Sequence, residues 1–181
     1  MDSYIPNKKK ILIVVDVQND FIDGCLGSEN AVAAIPNIKK KIEEYINMGD
    51  LGEIIFTQDT HYENYLDTLE GKNLPIKHCI VNTEGWKVSS ELDIPNRPHI
   101  FKETFGWNAW GFKLDSTTIE SVELVGFCTD ICVVTNALLI KTLFPHTDIS
   151  VDASCCAGVT PEKHSAALEV MKSCQINVIN E

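Results

Sequence analysis

Residues 11–17 read Ile11-Leu12-Ile13-Val14-Val15-Asp16-Val17, and this apolar run decides the fold class. Its lack of polar and apolar alternation is typical of a strand buried on both faces within a parallel sheet. Similar but less uniform runs predict the other strands at residues 53–57, 99–102, 121–126, 148–153 and 175–179. The sequence therefore predicts a mostly parallel central sheet.

Helical patterns lie between these strands. Over residues 31–48, isoleucines recur at steps of three and four, which predicts an amphipathic helix. Residues 129–143 are apolar almost all round, as in a helix packed deep inside a domain. Thr160 and Pro161 open a last helix as N-cap and first-turn proline. The alternation of strands and helices predicts a three-layer α/β/α domain.

The bulk composition excludes several classes of protein. The 181 residues, of which 44% are hydrophobic, suffice for one domain over residues 1–181, with a mobile tail at 1–10. A formal net charge of −11 disfavours nucleic-acid binding. Neither a membrane span nor a signal peptide is apparent, so we expect a cytoplasmic protein. The seven cysteines are an odd number without a regular framework, which argues against structural disulfides.

Polar residues follow several predicted strands. In parallel sheets, reactive side chains gather at the carboxyl ends of the strands. The residues at these ends are Asp16, Asp59 with His61, Lys102 and the segment 126–132. We expect them to face one crevice.

The segment Gly126-Phe127-Cys128-Thr129-Asp130-Ile131-Cys132 combines a strand end with a helix start. A cysteine near a helix N-terminus is favoured as a thiolate, and backbone N–H groups there can hold an oxyanion. Asp16 ends an apolar strand, where desolvation makes a carboxylate a plausible base. Lys102 could hold charge near a thiolate. Buried core thiols and an ordinary salt bridge are the alternative interpretations.

A second group of residues has the chemistry of a metal site. Asp59 and His61 share one face of a strand end, and Glu70 and His78 follow in the next loop. Two imidazoles with carboxylates suit one divalent ion, Zn²⁺, Fe²⁺ or Mn²⁺. The remaining histidines are interpreted as surface or helix residues: His99, His146 and His164.

Taken in order, three segments resemble the isochorismatase-like cysteine hydrolases, and within them the nicotinamidases. They are Asp16-Val17-Gln18-Asn19-Asp20-Phe21, Phe101-Lys102, and Gly126-Phe127-Cys128-Thr129-Asp130-Ile131-Cys132-Val133. The resemblance extends from about residue 11 to residue 179. It implies a Rossmann-like topology, an amidase activity and a Phe127–Cys128 cis peptide.

The resemblance also implies roles for individual residues. Asp16 would be the base, Cys132 the nucleophile and Lys102 their cationic partner. The N–H groups of Cys128 and Cys132 would hold the oxyanion. Asp59, His61 and His78 match the family's metal ligands, and Glu70 matches a fourth ligand of some members. Candidate residues of the substrate pocket are Phe21, Trp86, Trp107 and Phe127.

Two departures concern the substrate. Nicotinamidases commonly carry an aromatic residue shortly before the last metal histidine, where this chain has Leu74 or Pro75. The usual proline and second histidine after the Asp-x-His pair are replaced by Tyr62-Glu63-Asn64-Tyr65. Nicotinamide is therefore the leading amide substrate among several small amides.

Other functions remain open at this point. Relatives that hydrolyse N-carbamoyl or ureido compounds keep the three catalytic residues and often lack the metal ligands, and isochorismatases do not need the cysteine. A different class is a thiol-rich redox or metal-binding protein that uses Cys128, Cys132, Cys155 and Cys156. A non-catalytic scaffold is a third. The sequence allows a homo-oligomer without identifying one.

Overall fold

Six strands form one sheet in the computed structural model, which describes residues 8–181. The strands are β1 (Lys9–Val15), β2 (Gly52–Asp59), β3 (His99–Lys102), β4 (Ile119–Phe127), β5 (Asp148–Ala157) and β6 (Asn177–Ile179). All neighbouring pairs are parallel, in the order β3-β2-β1-β4-β5-β6. The predicted parallel sheet with Rossmann-like topology is confirmed, and no strand runs against the others among these residues.

Helices cover both faces of the sheet. They are α1 (Asn19–Ile22), α2 (Glu29–Asn47), α3 (Leu69–Asn73), α4 (Trp110–Lys113), α5 (Val134–Leu143) and α6 (Pro161–Ser173). Alternate residues of β1 separate the two layers. Leu12 and Val14 belong to the core cluster that includes α2, whereas Ile13 and Val15 belong to the cluster that includes α5 and α6. This double burial explains why β1 is apolar from Ile11 to Val15.

Three of the differences from the expected boundaries are informative. Lys9 and Lys10 belong to β1 rather than to a tail, and residues 1–7 of the expected tail lie outside the described part of the chain. The strand ends at Val15 because Asp16 has a left-handed φ of 48°. The helix expected over residues 129–143 begins with a π-helical turn, Thr129–Val133, before α5.

The strand order reverses between β1 and β4, which both lie in the middle of the sheet. In doubly wound sheets, the crevice at the carboxyl ends of such a pair is the usual binding site. Asp16 follows β1 and the Thr129–Val133 turn follows β4. The fold therefore places two of the candidate groups at this crevice.

Candidate active site

Asp16 lies fully buried where β1 turns away from the sheet. Its Oδ1 accepts a hydrogen bond of 2.7 Å from the Thr57 hydroxyl, and its Oδ2 lies 2.7 Å from Nζ of Lys102. Burial raises the pKa of Asp16 above its ordinary value, and the Lys102 ammonium only partly offsets this. The carboxylate is held ready to accept a proton.

Lys102 joins the two candidate clusters at the end of β3. Besides Asp16, its Nζ lies 3.5 Å from Sγ of Cys132 and 3.4 Å from Oδ1 of Asp59. Burial alone would lower the pKa of this lysine, but the surrounding acidic groups outweigh it and raise that pKa. Lys102 is therefore a fixed cation between a thiol and two carboxylates.

Cys132 sits within the Thr129–Val133 turn and is buried. Burial raises the pKa of its thiol well above the ordinary value of 9.0, and the Asp16 carboxylate raises it further. Lys102 acts in the opposite direction. The thiol consequently keeps its proton at neutral pH unless a neighbouring base removes it.

Hydrogen bonds hold the turn that carries Cys132. The Asn136 side chain donates to the Cys132 carbonyl at 2.8 Å. The buried Thr129 hydroxyl lies 2.8 Å from Nδ1 of His164, and Oδ1 of Asp130 accepts from the backbone N–H of Val159 at 2.9 Å. His164 was expected to be an ordinary surface or helix residue, but it contacts the turn, a contact that no local sequence pattern signals.

The four expected metal ligands come together beside Lys102. Ligand atoms of Asp59, His61, Glu70 and His78 all lie within 4.8 Å of one another. Oδ2 of Asp59 lies 3.0 Å from Nε2 of His61 and 3.5 Å from Nε2 of His78, and Glu70 Oε1 lies 3.6 Å and 3.8 Å from the same two nitrogens. This is the one such grouping found among residues 8–181, and it contains no cysteine.

The donor set fits a divalent cation. Burial opposes ionisation of Asp59, but hydrogen bonds from the two histidines dominate and lower its pKa. Nδ1 of His78 donates to the Ile76 carbonyl at 2.8 Å, which leaves Nε2 directed at the carboxylates. Two imidazoles and two carboxylates suit Zn²⁺, Fe²⁺ or Mn²⁺.

Local pairing brings the distant His78 to Asp59 and His61. His61 and Ile80 form a short parallel bridge, in which the His61 N–H donates to the Cys79 carbonyl at 2.9 Å. The Asp20 carboxylate accepts from the Cys79 N–H at 2.7 Å. The side chain of Gln18 bonds both the N–H and the carbonyl of Asp59, at 2.7 Å and 2.8 Å. Sequence reasoning assigned no role to Gln18 or Asp20, although both lie in the quoted first motif.

A cavity of about 810 Å³ opens above these groups. Cys128, Cys132, Asp59, Glu70 and His78 line it. The Phe127–Cys128 peptide at its edge is cis, as the resemblance implied.

The four aromatic residues that were expected to line the substrate pocket divide into two pairs. Phe21 and Phe127 line the cavity. Trp86 and Trp107 do not, so this expectation is corrected. Trp86 packs in a tilted arrangement against Phe101, with 5.2 Å between the ring centroids, and donates to the Thr60 hydroxyl. Trp107 packs at 5.0 Å against Trp110, on the helical layer of α5. Both indoles are used in packing outside the cavity.

Comparisons with known proteins agree with this geometry. The family model of the Isochorismatase domain matches residues 10–181. Nicotinamidase/pyrazinamidase of Mycobacterium tuberculosis is 27% identical over 194 aligned positions, covering 94% of this chain and 98% of that protein.

Solved structures give the same result. The pyrazinamidase of Pyrococcus horikoshii in complex with zinc has a TM-score of 0.84 and 27% identity, covering 96% of this chain and 99% of that one. The nicotinamidase/pyrazinamidase of Bacillus subtilis has a TM-score of 0.81 and 27% identity, with coverage of 94% and 98%.

Two further observations bear on the rival functions. All seven cysteines lie in the described part of the chain, and all are free thiols there. Within residues 8–181, no helix has the length and apolar character needed to cross a membrane.

Proposed function

The chain belongs to the Isochorismatase domain family of hydrolases, and from that premise we propose that it is a cysteine amidohydrolase that converts nicotinamide to nicotinate and ammonia. The observation that carries this proposal is the position of Lys102. Its Nζ contacts the Asp16 carboxylate, the Cys132 thiol and the Asp59 carboxylate together. A base, a nucleophile and a metal-ligating group thus meet around one buried cation.

The first half of the reaction forms a thioester. Asp16 removes the proton from Cys132, and Sγ attacks the carboxamide carbon. Lys102 stabilises the thiolate as the proton leaves. Cys128 and Cys132 both line the cavity, and their backbone N–H groups would hold the oxyanion. Asp16 then returns its proton to the nitrogen, and ammonia leaves.

The second half hydrolyses the thioester. Asp16 accepts a proton from a water molecule, whose oxygen attacks the same carbonyl carbon. The C–S bond breaks, and Cys132 regains a proton from Asp16. The raised pKa of Asp16 allows it both to accept a proton and to return one later in the reaction. A carboxylate of ordinary pKa would hold the proton too weakly.

Asp59, His61, His78 and Glu70 would hold one divalent cation beside the reacting centre. Such an ion would act as a Lewis acid toward the pyridine nitrogen of the substrate and so would orient the ring. The ring itself would lie against Phe21 and Phe127. Phe21 already packs edge-on at 5.7 Å against the His78 imidazole, so one wall of the ring site is formed by both groups.

The rival functions receive less support. N-carbamoyl and ureido amidohydrolases and isochorismatases remain related alternatives, but the four ligands beside Cys132 favour a nicotinamidase. A thiol-rich redox protein would need paired or metal-ligating cysteines. Within residues 8–181 the cysteines are free, and the metal-ligating group uses none of them.

The test is ammonia release from nicotinamide by the purified protein, before and after treatment with a chelator. We expect release that stops on metal removal and returns with Zn²⁺, Fe²⁺ or Mn²⁺. A His78→Ala variant should fail to recover on metal addition, whereas His146→Ala, at a histidine outside the metal group, should recover like the wild type. A folded, metal-loaded protein that releases no ammonia would contradict nicotinamide as the substrate.

A further inference from the structure

The cavity is larger than a single pyridine ring requires. Resting on the proposed amidohydrolase function, we propose that the preferred substrates are aromatic carboxamides that carry an additional apolar group, and that nicotinamide fills only the inner part of the site. Cavities of roughly 300–1,000 Å³ hold drug-sized ligands, and the volume of about 810 Å³ lies in the upper part of that range. One ring with one carboxamide is much smaller than such a ligand.

The reacting groups occupy only the floor of this cavity. Cys132, Asp59 and His78 are buried, and they confine the carboxamide and the ring nitrogen to one end. The rest of the wall is mainly apolar and comes from several segments of the chain. Its apolar residues beyond the floor include Leu26, Ala31, Leu69, Leu74, Phe105, Ile131, Ala157 and Val159. An apolar group extending from the ring would contact this outer wall.

Three apolar side chains at the outer wall are left open to solvent. Leu69 is 77% exposed, Phe105 is 47% exposed and Val159 is 49% exposed. They come from three separate segments: the start of α3, the chain after β3 and the connection from β5 to α6. Exposed apolar side chains grouped around one opening mark a surface that is covered on binding. A larger apolar acyl group would cover them, whereas a single ring held at the floor would not.

Small residues form another part of the wall. The residues before and at the start of α2 that line the cavity are Gly27, Ser28 and Ala31. Gly158, in the connection from β5 to α6, also lines it. These positions take up little or none of the cavity with side-chain atoms.

The test compares nicotinamide with 5-phenyl- and 6-phenylpyridine-3-carboxamide, using the metal-loaded protein. We expect at least one phenyl amide to have a kcat/KM equal to or above that of nicotinamide. Leu74→Trp, which fills the cavity, should lower the ratio of kcat/KM for the phenyl amide to that for nicotinamide by about tenfold or more.

A matched pair of variants tests the exposed wall. Leu69 lines the cavity, and Leu66, which is 45% exposed on the same loop, does not. Leu69→Ser should lower the same ratio about fivefold, since an apolar contact to the substrate is lost. Leu66→Ser should leave it unchanged.

The outcomes separate the two proposals. If nicotinamide is hydrolysed and the kcat/KM of both phenyl amides is more than tenfold lower, the larger substrate class is overturned and the proposed amidohydrolase function stands. The ratio of kcat/KM for the phenyl amide to that for nicotinamide gives two further tests. The larger substrate class would also be overturned if Leu74→Trp left this ratio unchanged, or if Leu66→Ser and Leu69→Ser changed it equally. No hydrolysis of any of the three amides would overturn the proposed function itself.

Discussion

Two lysines of this protein, the partly exposed Lys41 and the buried Lys102, each contact more than one carboxylate, yet their surroundings differ. Lys41 on α2 lies 2.9 Å from Glu123 and 3.0 Å from Asp152, which joins the helix to β4 and β5. Lys102 lies 2.7 Å from Asp16 and 3.4 Å from Asp59, and also contacts Cys132. Only the second lysine has a nucleophile beside it.

Two of the carboxylates that contact Lys41 also accept hydrogen bonds from neutral donors. Tyr45 donates to Glu123 at 2.9 Å, and Ser154 and Asn180 donate to Asp152 at 2.7 Å and 2.9 Å. Although burial opposes it, the hydrogen bonds from Ser154 and Asn180 and then Lys41 lower the pKa of Asp152.

Asp16, the nearer of the two carboxylates beside Lys102, behaves in the opposite way from Asp152, since burial raises the pKa of Asp16. Asp152 accepts hydrogen bonds from Ser154 and Asn180 besides its contact with Lys41, and these contacts favour its ionised form. Asp16 accepts one such bond, from Thr57, and is left able to take a proton, which is the property that general base catalysis needs. Buried ion pairs alone therefore do not indicate an active site.

The largest difference between the two lysines is expected in catalysis. Lys102→Met should reduce ammonia release from nicotinamide about 10³-fold, because the developing thiolate loses its only nearby cation among the described residues. Lys41→Met should change the rate less than about threefold, since it does not line the cavity. Initial rates of ammonia release, measured at equal metal content, test this difference. Equal losses of rate in Lys102→Met and Lys41→Met would contradict it.

A smaller difference is expected in stability. Lys41→Met leaves Glu123 and Asp152 without their cation and should lower the free energy of unfolding by about 3 kcal/mol, measured by urea denaturation. Lys172→Met, at a surface pair with Glu169, is the matched control and should change the urea midpoint far less than Lys41→Met does.

The loss of stability in Lys41→Met should depend on pH. The lowered pKa of Asp152 contributes stability that is present above its unfolded value of 3.8 and is lost as the pH falls through its lower folded pKa. The difference in stability between wild type and Lys41→Met should therefore narrow below about pH 3.8. A difference that grows in acid would contradict the role given to Asp152.

The smallest of these effects is a gradual change of kcat/KM with pH. Because the pKa of Asp16 is raised, kcat/KM should fall with decreasing pH through a value above 3.8, the ordinary value for an aspartate. The base form exists above this pKa, so the loss is on the acid side. Metal content measured at each pH separates this loss from release of the metal. An acid limb at or below 3.8 would contradict Asp16 as the base.

The sequence predicts much of the fold because most residues of β1, β2 and β4 are buried. The run at residues 11–17 can be recognised without its neighbours. Asp16 and Cys132 follow two of these strands, whereas Lys102 ends the short and less buried β3. The four proposed metal ligands were also identified, since Asp59 and His61 are close in sequence and the family resemblance places His78.

Other features depend on contacts between distant segments. Trp86 and Trp107 were misplaced because an aromatic side chain carries no sequence signal for the direction in which it packs. In the Lys41 cluster, the contacts from α2 to Glu123 and Asp152 span 78 or more positions, as between Tyr45 and Glu123, and left no local pattern. The contact between Thr129 and His164 spans 35 positions and was missed for the same reason.

Ammonia release from nicotinamide by Cys132→Ala, beside Cys128→Ala as the matched thiol control, tests whether Cys132 is the nucleophile. We expect no release above background from Cys132→Ala, with unchanged metal content and circular dichroism. We expect retained release from Cys128→Ala, because the proposed contribution of Cys128 is its backbone N–H. Release by Cys132→Ala at a rate near that of the wild type would contradict Cys132 as the nucleophile.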